Sequence, residues 1–398
     1  MDPIAVYTLT STLHDDQAVA RISHDFLSAL WPDGGYAFRG ADYSDFGTHT
    51  LDLIFVRTGG TEGIFKALLP DLLDRGATRF FLLTSGKSNS LAASMEILSY
   101  LRQRDIPGEI IHGSDDYIRQ RVAVLCQVET ARLRLSASCL GVIGQPSDWL
   151  IASGVDRDAV YDKLGIWLKD IPMEALLQRF KQARFEENWP EKPMTAAVRD
   201  AYPDAVRIYR ALKALIEDER LSGLTLRCFD LLGALHNTGC LALARLNAEG
   251  IPAGCEGDIP ALLSLAVVQA ALGHPGFQAN PSRIDPTTGE VLFAHCTIGL
   301  SLVDRFDFDT HFESGIGVGI RGHFPEGPVT VYKLSGDLKR RFIAEGEVLG
   351  NQAECDLCRT QVIVRLAPED ARRFLTDPIG NHHILVPGHH KALLEEMA

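Results

Sequence analysis

NAEGIPAGCEGD, Asn247–Asp258, is the part of the chain from which the architecture can be worked out. A helical pattern, Thr238–Glu249, stops at Gly250, a residue suited to the left-handed turn that ends helices. The apolar run Ile251–Cys255 reads as a strand. Glu256, Gly257 and Asp258 then turn the chain into a second apolar helical run, Pro260–Leu272. Gly257 allows a sharp turn and a close approach of backbone to a ligand. Upstream, LTLRCFD (Leu224–Asp230) reads as another strand that ends in an acid. Strands alternating with helices imply βαβ units and a parallel sheet. In open sheets of that kind, ligands bind beyond the carboxyl ends of the strands.

The same alternation extends to the N-terminus. Ile4–Leu9, Leu51–Arg57, Arg79–Thr84 and Gly108–His112 read as strands, with helices over Ile64–Leu73 and Leu91–Arg104. A second unit opens near Ser136 with the apolar Cys139–Gly144 and continues through helices Met173–Ala183 and Met194–Glu219. Beyond about Ile251, short β-branched segments are split by Gly and Pro: Glu290–Ile298, Gly315–His323, Val329–Leu334, Phe342–Leu349 and Thr360–Leu366. These read as antiparallel β, a small barrel or sandwich. The expected fold is α/β: two N-terminal Rossmann-like parallel-sheet domains (1–135 and 136–252) followed by a C-terminal, mostly antiparallel β domain (253–398).

Composition narrows the function. The chain has 398 residues and a net charge of −13, which disfavours nucleic acid and anionic membranes as partners. No apolar run of about 18 residues spans a bilayer. The start has neither the basic segment nor the apolar run of a secretory signal. Eight scattered cysteines, several in apolar runs (Cys126, Cys139, Cys240), fit reduced thiols and a cytoplasmic location.

The candidate chemical groups each have a plainer reading. Asp230 sits at an expected strand end, where it is a ligand group or a solvated cap. Asp258 precedes Ile259-Pro260, so it is a helix cap or a ligand. That leaves Glu256, two residues earlier, without a purely structural reason. His382 and His383 follow Asn381, and His389 and His390 follow Pro-Gly; one of these four is expected to be a ligand. His295 and Cys296 adjoin in a strand and therefore face opposite ways, which excludes a mutually activated pair. His295 is expected to line a site and Cys296 to fill space. Cys355 and Cys358 lack the second pair of a zinc ribbon. SGKS (Ser85–Ser88) lacks the upstream glycine of a phosphate loop, and TGGTEG (Thr58–Gly63) is a tight strand-to-helix turn. Two carboxylates and a neutral imidazole with open positions suit a hard divalent cation that also holds a polyol.

Taken in order, CFDLL, LARLNAEGIPAGCEGDIPALLSLAVVQAALG, AHCT, LCRTQ and GNHH, with VRTGGTEG and SGKSNSLAAS upstream, resemble the L-fucose isomerase-like superfamily in a shorter, divergent form. The resemblance implies aldose–ketose isomerisation of a small-molecule sugar through a metal-bound enediolate, usually with Mn²⁺, Mg²⁺ or Co²⁺ being alternatives. It also implies a homo-oligomer, a trimer or hexamer. Through CEGD it maps Asp258, and through the Asn-His pair His382, onto the metal ligands. Asp230 is the candidate for the first carboxylate, at a place where family members carry Glu. Asp230 and Asp258 would share the proton transfer. Glu256 would brace a ligand or act as the alternative base, and His295, Arg359 and Asn381 would contact substrate. Arg57 or Lys87 of a neighbouring subunit are further candidates. The alternatives are a non-catalytic sugar-binding or structural paralogue, or a metal-dependent epimerase or lyase on a sugar or sugar acid.

Overall fold

The structure, a computed structural model, describes residues 3–13 and 16–397. It divides into two compact units that part at Thr130/Ala131. The first holds a parallel sheet of β1 (Ile4–Leu9), β2 (Ala37–Gly40), β3 (Leu51–Val56), β4 (Phe80–Leu83) and β5 (Gly108–Ile111), in the order β2-β1-β3-β4-β5. Ile54, Val56, Phe80 and Leu82 on one face, and Leu53, Phe55, Phe81 and Leu83 on the other, belong to separate buried clusters. Sequences apolar on both faces are what a doubly covered parallel sheet requires.

The second unit opens with β6 (Cys139–Ile143), β7 (Trp167–Ile171), β8 (Gly223–Leu226) and β9 (Ala253–Cys255), a parallel sheet ordered β7-β6-β8-β9. Its remaining strands are β10 (Phe277–Ile284), β11 (Glu290–His295), β12 (Phe306–Asp309), β13 (Gly319–Gly322), β14 (Gly327–Leu334), β15 (Arg341–Gln352), β16 (Thr360–Leu366) and β17 (His383–Pro387). Six of them close an antiparallel barrel, β10-β11-β16-β15-β14-β17, and β12 and β13 form a separate pair. Val291 and Phe293 of β11, Val329 and Val331 of β14, Val362 and Val364 of β16 and Leu385 of β17 share one buried cluster. Tyr202 and Val206 of the helix Ala196–Glu219 join that cluster, while Ile208, Leu212 and Leu215 of the same helix pack on the second sheet. This helix therefore serves two cores, at roughly 1.5–3 kcal/mol for each large side chain fully buried.

The α/β class, the two parallel sheets and the antiparallel C-terminal barrel agree with the sequence reading. Two local expectations change at the sheet edge. The strand expected over Leu224–Asp230 ends at Leu226, because Cys228 N–H turns back to Leu226 C=O (2.8 Å), and Asp230 opens a short helix, Asp230–Leu235. The strand expected over Ile251–Cys255 begins only at Ala253. Pro252 has no N–H to give and contributes only its carbonyl, which accepts from Leu224 (2.8 Å). No helix among the described residues is long and apolar enough to cross a membrane.

Gly346 marks a tight strand contact in the barrel. A Cβ there would lie 2.3 Å from the Arg365 carbonyl oxygen on the neighbouring strand. Gly346→Ala is expected to destabilise the fold by about 1–3 kcal/mol, the usual cost of overfilling a packed site. Urea unfolding should show a lower midpoint with unchanged slope; an unchanged midpoint would contradict this tight contact.

Candidate metal centre

The turn after β9 builds the first half of the site. Glu256 and Gly257 both have left-handed backbones (φ +63° and +70°), and Asp258 N–H returns to Cys255 C=O (3.1 Å). Gly257 is required, since a Cβ would meet the Gln145 carbonyl oxygen at 2.6 Å. For Glu256 the left-handed conformation is strained, about 1–3 kcal/mol in a non-glycine residue, and strain of this kind clusters at functional sites. Neighbours hold the turn in place. Gln278 of β10 accepts from Cys255 N–H (2.9 Å), and Glu256 C=O accepts from Ser147 N–H (2.9 Å). Asp258 caps the helix Ile259–Leu272 by accepting from Ala261 N–H through Oδ1 (2.8 Å).

The barrel supplies the second half. His295 is the last residue of β11. By strand alternation it continues the inward face of Val291 and Phe293. His382 immediately precedes β17, and Lys333 is the penultimate residue of β14. Glu256, His295 and His382 each bring one ligand atom to a place where all three lie within 4.8 Å of one another. Glu256 Oε1 is 3.4 Å from His382 Nε2 and 3.8 Å from His295 Nε2.

Both imidazoles are held from behind. His382 Nδ1 donates to Asp258 Oδ2 (2.8 Å), and His295 Nδ1 meets Thr297 Oγ1 (2.9 Å). Trp149 Nε1–H donates to Glu256 Oε2 (2.7 Å), leaving Oε1 to face the two rings. Asp258 and His382 are fully buried, and His295 is 4% exposed.

The electrostatics follow from this enclosure. Burial alone would raise the Glu256 carboxyl, but the two imidazoles overcome it and hold Glu256 far below the usual carboxylate range. Burial would likewise raise Asp258; the Lys333 charge and His382 outweigh it and bring it down to about 2. His382 would be lowered by burial, yet Asp258 and Glu256 push it up to about 9. Burial, with Lys333 nearby, brings His383 down to about 3.

These residues fit a metal ion. His382 Nε2 is a buried polar atom without a hydrogen-bond partner, turned toward a carboxylate oxygen and a second imidazole. Two imidazole nitrogens and one carboxylate oxygen suit first-row divalent cations. A carboxylate behind a ligating histidine is the usual means of fixing its tautomer.

The other expected site residues fall as follows. Asp258 lies behind His382 rather than beside its Nε2. Asp230 is outside the three-residue group; its Oδ1 pairs with Arg227 Nε (3.1 Å), and it lines a separate groove of about 510 Å³ with Gly144, Gln145 and Met173. Phe229, next to it, packs edge-on against Trp149 (4.9 Å between centroids). Arg359 is committed to Thr310 C=O (2.8 Å) and Asp309 (3.5 Å). The Asn381 side chain is exposed, while its carbonyl faces His383 Nδ1 (3.0 Å). His389 and His390 lie at the other end of β17, with ring nitrogens near the Gly346 and Pro387 carbonyls. Cys355 is exposed and Cys358 half-buried, and all eight cysteines are free. Trp149, Thr297 and Lys333 were not foreseen. Lys333 carried a signal: it falls in step with Val329 and Val331 on an alternating strand, an inward position for a charged residue.

No protein-family model matches the chain. It is similar to a sulfoquinovose isomerase of Alkalicoccus urumqiensis, 25% identical over 279 residues, covering 66% of this chain and 63% of that protein. It is also similar to a sulfoquinovose isomerase of Clostridium sp. (strain MSTE9), 29% identical over 143 residues, 36% of this chain and 29% of that protein. The matched span takes in less than two thirds of either relative.

Asp258→Ala removes a helix cap and leaves the Lys333 ammonium buried without its partner. It is expected to cost about 3–5 kcal/mol, the range for breaking a buried pair. Asp258→Asn keeps an oxygen for the cap and should cost less. Thermal unfolding of the two variants checks the order; equal losses would contradict it.

Proposed function

We propose that this chain is a divalent-metal-dependent aldose–ketose isomerase of the L-fucose isomerase-like kind, acting on a sugar that carries an anionic group. The observation that carries the proposal is the convergence of His295 Nε2 and His382 Nε2 on one oxygen of Glu256. The similarity to two sulfoquinovose isomerases, together with the ordered motifs from CFDLL to GNHH, supports the reaction class and the sulfonated sugar.

In this reading Glu256, His295 and His382 hold the cation, with Mn²⁺ the first to try. When bound, the cation would polarise the sugar carbonyl and make the neighbouring C–H acidic. The chain's own groups do the rest. Asp258 keeps a proton on His382 Nδ1, so that Nε2 is the nitrogen that would give up its proton to take a cation. Trp149 restrains Glu256 to a single free oxygen, and its half-exposed indole offers an apolar face to a sugar ring. Asp258 is fully buried with both oxygens engaged, and in this reading it acts through His382 rather than on the substrate. For the proton transfer between C2 and C1 we keep Asp230 as the candidate base; it lies outside the Glu256–His295–His382 group, in the groove beside the Phe229–Trp149 contact, so a sugar held by that group would have to reach into this groove to meet it. Arg227, paired with both Asp230 and Asp148 there, is the candidate to meet an anionic substituent.

The test is incubation of the Mn²⁺-loaded protein with sulfoquinovose in D₂O, followed by NMR. Conversion to a ketose with deuterium entering at carbon is expected. Glu256→Gln and His382→Ala should lose both bound metal and turnover, by about 100-fold or more. Turnover that survives in either variant would overturn the assignment.

A further inference from the structure

We propose that Lys333 is a positioning residue for the candidate metal centre, acting on His382 through Asp258. The proposal rests on the metal reading above. Lys333 is 1% exposed, and its Nζ has no hydrogen-bond partner. Its one close ionic contact among the described residues is Asp258 Oδ2, at 3.5 Å, the same oxygen that accepts from His382 Nδ1 at 2.8 Å. The chain of contacts is therefore linear: ammonium, carboxylate, imidazole, ligand atom.

A structural explanation alone does not account for this lysine. It follows Val329 and Val331 on the inward face of β14, where an apolar side chain would fill the same space without the cost of burying a charge. It also stands near the N-terminal end of the helix Ile259–Leu272, whose dipole disfavours a cation. What the ammonium does is fix a carboxylate. Asp258 Oδ1 is committed to the helix cap, so the carboxylate cannot turn freely about its own axis. Lys333 then pins the same Oδ2 that His382 uses, and the imidazole finds its acceptor in place before any metal arrives. Gly380, two residues before His382, approaches the same ammonium; a Cβ there would lie 4.0 Å from Nζ. Lys333 thus pairs with the acceptor and lies close to the loop that carries the ligand.

The experiment is Mn²⁺ binding to the full chain by calorimetry, for wild type, Lys333→Met, Asp258→Asn and the double variant, each checked for folding by circular dichroism. Lys333→Met is expected to weaken Mn²⁺ binding about 10-fold or more, within the range for groups behind a ligand. The double variant should bind no more weakly than Asp258→Asn, because the lysine acts only through that carboxylate. A folded Lys333→Met that binds Mn²⁺ as the wild type does would overturn the proposal. So would a double variant weaker than Asp258→Asn by the full effect of Lys333→Met. If Lys333→Met does not fold, the double variant, in which no buried charge is left unpaired, decides the matter. Affinity equal to Asp258→Asn supports the proposal, and a further 10-fold loss overturns it. A wild type that binds no Mn²⁺ removes the metal reading itself, and the lysine's role with it.

Discussion

The hydrogen bond from His382 to Asp258 joins residues 124 apart in sequence, and the geometry of the candidate site depends on it. One end belongs to the turn that leaves the second parallel sheet. The other precedes the last strand of the barrel. Asp258 has two oxygens and uses both: one starts a helix, the other aims an imidazole. A single carboxylate therefore couples local helix formation to the position of a ligand atom. The bond is fully buried, so water does not compete for either partner.

Around it the protein tolerates several arrangements that would be costly elsewhere. Glu256 sits at a positive φ, Lys333 is buried, and His382 Nε2 is left without a hydrogen-bond partner. Each is held by over-determined surroundings: the Gln278 and Ser147 contacts on the turn, the closed barrel under His295, and the helix starting at Ile259. The strain and the unpaired atom lie at the same point, which is where a cation would be held.

Much of the architecture was legible in pattern. Alternating helix and strand signals revealed both parallel sheets, and Thr360–Leu366 was bounded to the residue. Of the strands that the sequence pattern does not show, β2, β7, β10, β12 and β17, two have a plain physical reason. In β10 the Asn280-Pro281-Ser282 run reads as a turn, yet the strand passes through it with a shift of register between Pro281 and Arg283. In β7, Trp167–Ile171 is short and mostly exposed, so no apolar run announces it. The site was legible in its members more than in its wiring. Glu256, His295 and His382 were all singled out from sequence, but adjacency along the chain could not show that Glu256 faces the imidazoles while Asp258 stands behind one. That distinction arises from two successive left-handed residues, which turn neighbouring carboxylates to different sides. Lys333 was hidden because its partner lies on another element, 75 residues away in a chain whose motifs are local.

The central claim is that Glu256, His295 and His382, and not the aspartates, contact the cation. Anomalous diffraction from crystals soaked in Mn²⁺ tests it most directly. The account predicts one peak at about 2.0–2.3 Å from Glu256 Oε1, His295 Nε2 and His382 Nε2, with Asp258 beyond contact distance. A peak coordinated by Asp230 or Asp258, or an empty site in crystals that hold Mn²⁺ elsewhere, would contradict it.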